Sequence, residues 1–340
     1  MDEDAAIAYV ARSEARNVVR RRDDDDASGV DATIPLFRIK KDANNKYACK
    51  FVAGLTDDYT AGYRAPAYEH FFANNVLPYV DPALDVSGLY HLELHDSASK
   101  AAIETTDGHG AFTFGKDLEN VHAGRNRALL PDFYQILGYS RGRGVPSLIE
   151  LKDGVAFQDK VPKVLFAGTT TGDMDPLKNQ RVQACRWAYG VDPTRAKYEL
   201  YLTSCRQIPP EEMYRKVPEA PHLFKDYVRE EDHYRYRYIL NVVGNTSCWS
   251  RVPLIMCSNS VMINLKHDQG GWYYPLMRSG VHFVNIPTIQ DLPKAVEACE
   301  KNPAMCKVIA KNANLFAKKH FSVEVAAAYA RILLEEVAWN

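Results

Sequence analysis

Gly244, Asn245, Thr246 and Ser247 follow an apolar run at 238–243, and Arg251 comes soon after them. A strand, a small-residue turn and a short helix with an early cation put N–H groups and a guanidinium at the carboxyl edge of a parallel sheet. Orphan N–H donors and a bidentate arginine suit a phosphorylated ligand. An ordinary strand-to-helix loop with a surface arginine reads the same way, because a lone glycine turn is a weak signal. Trp249 can stack on a ligand or fill a core.

A second small-residue loop, Gly168, Thr169, Thr170, Thr171 and Gly172, follows a short strand at 164–167. Its hydroxyls and flexible backbone suit a base, ribose or sugar. Asp173 and Asp175 come next, and Asp175-Pro176 is expected to cap and open a helix running to about Tyr189. There they would compete with a phosphate for the helix dipole. Asp173-Met174-Asp175 also spells a pattern that can hold a divalent ion, although a pair of capping aspartates reads identically. Arg181 faces either a ligand or solvent, and position favours solvent.

Asp96 ends an apolar strand at 88–95, between His95 and Ser97. A shielded carboxylate there suits a general base, and a helix-capping turn is the bland alternative. Tyr234–Tyr238 alternates aromatic and basic residues, which fits stacked nucleic acid or an amphipathic strand start. Ten histidines show no zinc spacing, so no metal site is expected. Seven scattered cysteines read as reduced thiols, with a Cys299–Cys306 bridge conceivable but unsupported.

These residues need a scaffold, and 340 residues suffice for two domains. A net charge of −1 gives no global argument for nucleic acid or an anionic membrane, and no apolar run reaches a membrane span. Residues 1–30 read as a charged tail or peripheral helix without a secretory h-region, so the expectation is a cytoplasmic chain. Alternating elements then suggest an N-terminal α/β domain over 31–162, a second over 163–319, and a C-terminal helix within 320–340 packing back on the first. The helix at 323–339 carries an apolar face. Two doubly wound Rossmann-type domains facing a cleft is the expected fold class.

Four blocks in order, LYHLELHDS (89–97), ALLPDF (128–133), LFAGTTTG (165–172) and the stretch 236–286, resemble glycosyltransferase family 90. This group contains Rumi-type protein O-glucosyltransferases and capsule-associated enzymes. The last block is the most specific, with YRYILNVVGN, WSR, SNSVMI and WYYPLMRSGVHFVNI in order. The resemblance implies a GT-B-like fold and inverting, metal-independent transfer of xylose or glucose from a UDP-sugar co-substrate, without a prosthetic group. Asp96 would be the base. Gly168, Thr169, Thr170, Thr171, Gly172 and Arg181 would contact the donor. So would Gly244, Asn245, Thr246, Ser247, Cys248, Trp249, Ser250 and Arg251, the last also stabilising the leaving group. The acceptor side would include His95, Ser97, Pro131, Asp132 and Phe133, and the partner would be a glycan or glycoprotein.

Two positions depart from the family pattern. Gly271 stands where many relatives have glutamate, and Val252 replaces a basic residue. The first motivates an alternative, a catalytically inactive UDP-sugar or glycan-binding protein of the same fold. A Rossmann dehydrogenase lacks its GxGxxG here, and nucleic-acid binding would show steep salt dependence.

Overall fold

Strand signals of period two and short apolar runs become twelve strands among the described residues. The computed structural model describes residues 3–16, 35–55, 60–92, 94, 111–113, 116–117, 127–140, 147, 149–150, 152–245 and 250–339. The strands are β1 (Leu36–Lys41), β2 (Tyr47–Ala53), β3 (Gly88–Leu92), β4 (Ala111–Thr113), β5 (Lys116–Asp117) and β6 (Arg127–Leu129). They continue with β7 (Val161–Gly168), β8 (Tyr198–Leu202), β9 (Tyr236–Asn241), β10 (Val261–Leu265), β11 (Gln269–Gly270) and β12 (Val284–Ile286). The chain divides into two units. One holds 1–139, 268–276 and 320–340, the other 140–267 and 277–319.

The first unit is built on a sheet of order β2-β1-β3-β4-β6. The β1–β2 and β1–β3 pairs are antiparallel, whereas β3–β4 and β4–β6 are parallel. Trp272 is fully buried in this unit, stacked on Tyr329 at 4.4 Å between ring centres. Its indole N–H donates to Oε1 of Gln135 at 2.8 Å, so the polar edge of the ring is satisfied inside the core. The helix Val323–Trp339 carries Tyr329 and buries Ala326, Ala330, Leu333 and Val337 along one face. The helix Glu3–Ala15 packs on it through buried Ile7, Val10, Ala11 and Ala15.

The second unit holds a wholly parallel sheet of order β12-β10-β9-β7-β8. Parallel strands covered on both faces need continuous apolar runs, and β10 is buried at all five residues. The fold class is therefore the expected α/β one with two Rossmann-like units, the first having an antiparallel margin. Of YRYRY, Tyr236–Tyr238 begin β9, while Tyr234 and Arg235 form the turn after the helix Glu230–His233. Arg237 pairs with Glu300 at 3.1 Å, and the Tyr236 hydroxyl donates to Glu199 at 3.1 Å.

Three local expectations are corrected. The helix after the threonine loop is Gln180–Val191, starting later than Asp175-Pro176 suggested. Asn179 is the cap, its Oδ1 accepting from the N–H groups of Arg181 and Val182, while Asp175 closes the preceding turn on Leu177. Arg181 is buried rather than solvent-facing. Cys299 and Cys306 form a disulfide, their Cα atoms 5.6 Å apart where the helix Leu292–Lys301 gives way to Pro303–His320.

Candidate functional site at the sheet switch point

In the second sheet, β7 is flanked by β8 on one side and β9 on the other, so the connections leaving β7 and β8 run in opposite directions. A crevice opens at such a reversal beyond the carboxyl ends of the strands, and open α/β sheets bind ligands there. The residues at these two ends are Gly168 and Asn241. The topology thus brings the Gly168–Gly172 loop beside the turn at 242–245, although the two lie far apart in sequence.

The two turns are cross-braced. The Gly172 N–H donates to Oδ1 of Asn245 at 3.1 Å and to Oε1 of Gln207 at 3.0 Å. Asn179 donates through Nδ2 to the carbonyls of Thr170 (3.1 Å) and Asp173 (2.9 Å). Thr170 is buried, its hydroxyl donating to the Arg206 carbonyl at 2.6 Å and accepting from the Arg206 N–H at 2.7 Å. Arg181 donates from Nε to the Val243 carbonyl (3.0 Å) and from Nη1 to the Thr169 carbonyl (3.2 Å) and the Thr171 hydroxyl. Gly172 has a φ of +126°, a conformation L side chains rarely adopt.

Arg251 opens the short helix Arg251–Met256 behind Ser250. Its Nη2 donates to the Ala167 carbonyl at 2.8 Å, and the guanidinium lies over the Phe166 ring at 4.6 Å. His233 is buried near it. Burial, with the Arg251 charge second, pulls this imidazole down to about 4, so it is neutral at physiological pH. Three asparagines line the same sheet edge. Asn241 Nδ2 donates to Asn264 at 2.8 Å, and Asn264 Nδ2 donates to Asn285 at 3.0 Å, following the parallel register.

The Asp173/Asp175 pair is partly engaged elsewhere, since Lys216 holds the Asp175 carboxylate at 3.2 Å. Among the described residues, no group of three or more His, Cys, Asp or Glu is placed to hold a metal ion. Thr246, Ser247, Cys248 and Trp249 lie outside the described residues.

On the first unit, His95, Asp96 and Ser97 also lie outside the described residues. Leu94, which precedes them, is described, and its carbonyl accepts from Nη1 of Arg64. Pro131 takes the Tyr68 hydroxyl at 2.7 Å. Asp132 caps the helix Phe133–Ile136, accepting from the N–H groups of Tyr134 (2.9 Å) and Gln135 (3.1 Å). Burial raises its carboxyl to about 7, against the pull of those N–H groups and of Arg64. Phe133 lies 4.9 Å from the Tyr63 ring and 5.8 Å from the Arg64 guanidinium. Arg64, Gln207 and His233 were not singled out from the sequence. Each reaches its partners through tertiary folding, so no local pattern marks it.

The model of Glycosyl transferase family 90 matches residues 149–339, more than half of the chain. Among curated relatives, "Uncharacterized protein 035R" of Invertebrate iridescent virus 3 is 27% identical over 176 residues, 49% of this chain and 16% of that protein. "O-glucosyltransferase rumi" of Drosophila pseudoobscura pseudoobscura is 26% identical over 108 residues, 31% of this chain and 26% of that protein. The chain thus spans about a sixth and a quarter of the length of these two relatives. Among solved structures, Anabaena HepE in complex with UDP and glucose has a TM-score of 0.44 at 14% identity, over 78% of this chain and 72% of that one. The C-terminal domain of LpcC, a glycosyl transferase group 1 family protein of Francisella tularensis, has a TM-score of 0.33 at 12% identity, over 50% of this chain and 99% of that one. On the match over residues 149–339, the chain belongs to glycosyl transferase family 90.

Proposed function

We propose that this glycosyltransferase moves xylose or glucose from a UDP-sugar to a hydroxyl of a glycan acceptor, with inversion and without a metal ion. One observation carries this reading. Two glycine turns and Arg251 meet at the switch point of a parallel sheet, where N–H groups and a guanidinium can hold a diphosphate. Residues 168–172 and 244–251 would form the donor site, with Arg251 stabilising the charge that grows on the UDP leaving group. Asp96 would accept the proton of the attacking acceptor hydroxyl. Pro131, Asp132 and Phe133, together with His95 and Ser97, would shape the acceptor side.

A relative named as an O-glucosyltransferase makes UDP-glucose the first donor to try, with UDP-xylose beside it. Incubating the protein with each and following UDP release tests the reading. Asp96→Asn should keep UDP binding while transfer falls by about a hundredfold or more, since a positioned base contributes that much. Full activity in that variant would sink the assignment. Arg251→Ala should weaken UDP binding in calorimetry. Activity lost in EDTA and restored by a divalent ion would replace metal-free catalysis with a site at Asp173 and Asp175. Binding of UDP-sugar with no release of UDP, with or without a glycan, would favour the inactive binding protein.

A further inference from the structure

We propose that Arg181 is a positioning residue that locks the two glycine turns into one anion-binding surface, and that Gly244 lacks a side chain to admit this guanidinium. The inference rests on the reading of the turns as the UDP-sugar site. Arg181 is 8% exposed. Its donors go to protein acceptors on both turns, the Thr169 carbonyl and Thr171 hydroxyl on one, and the Val243 and Val242 carbonyls on the other. A side chain so engaged braces the site from behind rather than reaching a ligand in front.

The geometry of the peptide makes this brace consequential. In a trans peptide the N–H points opposite the carbonyl of the preceding residue. Anchoring the Val242 and Val243 carbonyls on Arg181 therefore turns the N–H groups of Val243 and Gly244 to the far side of the turn. Successive N–H groups on one side form a concavity that accepts an anion. The buried cation also adds a positive field behind that surface. Steric fit points the same way. A β-carbon on Gly244 would stand 2.7 Å from Arg181 Nη2 and 3.0 Å from the Thr171 hydroxyl. The contact is with the end of a flexible side chain, so alanine at 244 would displace the guanidinium rather than unfold the sheet.

Calorimetry with UDP on Arg181→Met, Arg181→Lys, Gly244→Ala and the Arg181→Met/Gly244→Ala double variant tests the lock, alongside ligand-free hydrogen exchange of peptides covering 168–173 and 242–245. Each single variant should bind UDP about tenfold or more weaker, the loss expected when a buried charged fork loses its acceptors. Lysine should not rescue, because one ammonium cannot span both turns. The double variant should be no weaker than the singles, since both changes break the same lock. Both turns should exchange faster in Arg181→Met without ligand. UDP affinity within about twofold of wild type in folded Arg181→Met would overturn the proposal, reducing Arg181 to stability alone. Wild-type affinity in Arg181→Lys, or losses that multiply in the double variant, would make it a direct phosphate ligand. If the wild-type protein binds no UDP, the donor-site reading fails, and the exchange data alone decide whether Arg181 locks the turns.

Discussion

A β-carbon added at Gly168 would meet Nη2 of Arg251 at 2.8 Å and the Phe166 ring at 3.1 Å. Gly168→Ala should therefore push the guanidinium off the Ala167 carbonyl and weaken UDP binding by about tenfold, while the fold survives. Unchanged affinity in calorimetry would refute this. From sequence, Gly168 and Gly244 read as parts of two ligand-binding turns. In the fold the room beside Gly168 and Gly244 holds Arg251 and Arg181. Two buried titrating groups make opposite predictions. The Asp132 carboxyl rises from 3.8 to about 7, so between those values the folded state holds more protons and stability falls as pH rises. His233 falls from 6.5 to about 4, so there the unfolded state holds more protons and stability falls as pH drops. Asp132→Asn keeps a capping side chain and should remove the first slope, worth on the order of a few kcal/mol. His233→Gln should flatten the second. Urea denaturation from pH 4 to pH 8 measures both, and parallel curves for variant and wild type would reject the assignments.

At the scale of elements, the β7 entry is held by a buried ion pair, Lys160 with Asp153 at 2.5 Å. The Asp153 carboxylate also accepts from the N–H groups of Asn259 and Val155, tying the start of β10 to the same point. Lys160→Met should cost about 3–5 kcal/mol in urea denaturation, because it strands a buried carboxylate, and the Lys160→Met/Asp153→Asn pair should cost less. A single-variant loss below about 1 kcal/mol would show the pair to be solvated. The final helix, Val323–Trp339, was legible because helical periodicity is local, whereas the strand read at 238–243 is observed two residues earlier, at Tyr236–Asn241. The helix start at Asn179 was not legible. Asp175-Pro176 is a valid local start signal, but Lys216 and the Leu177 N–H hold Asp175 in a turn, and Asn179 caps instead.

At the scale of the molecule, residues 268–276 leave the parallel sheet after β10 and belong to the first unit, where Trp272 is central. Trp272→Ala should cost about 3–5 kcal/mol, from the lost stack on Tyr329 and the cavity left behind. It also leaves Gln135 Oε1 without its indole donor. Hydrogen exchange should show the loss in peptides around 127–139 and 323–339. Wild-type protection there would contradict the packing argument. The 236–286 block reads as one continuous motif in sequence, yet its WYYP portion, with Trp272 and Tyr273 buried, belongs to a different unit from its YRYILN portion. Continuity of a motif along the chain does not imply one folded surface.

The sequence by itself determined the α/β class, several of the central strands and the two small-residue turns, because periodicity and turn chemistry act over a few residues. It also carried the blocks at 165–172 and 236–286, which lie within the family match. Only the tertiary structure decided where β7 sits in the sheet, and hence that its loop and the turn after β9 share the switch point. It likewise decided that Arg251 reaches the Ala167 carbonyl across a separation of 84 residues and that Arg181 reaches the Val243 carbonyl across 62. Strand order is set by non-local pairing, and a side chain's partner is chosen by that order rather than by its neighbours along the chain.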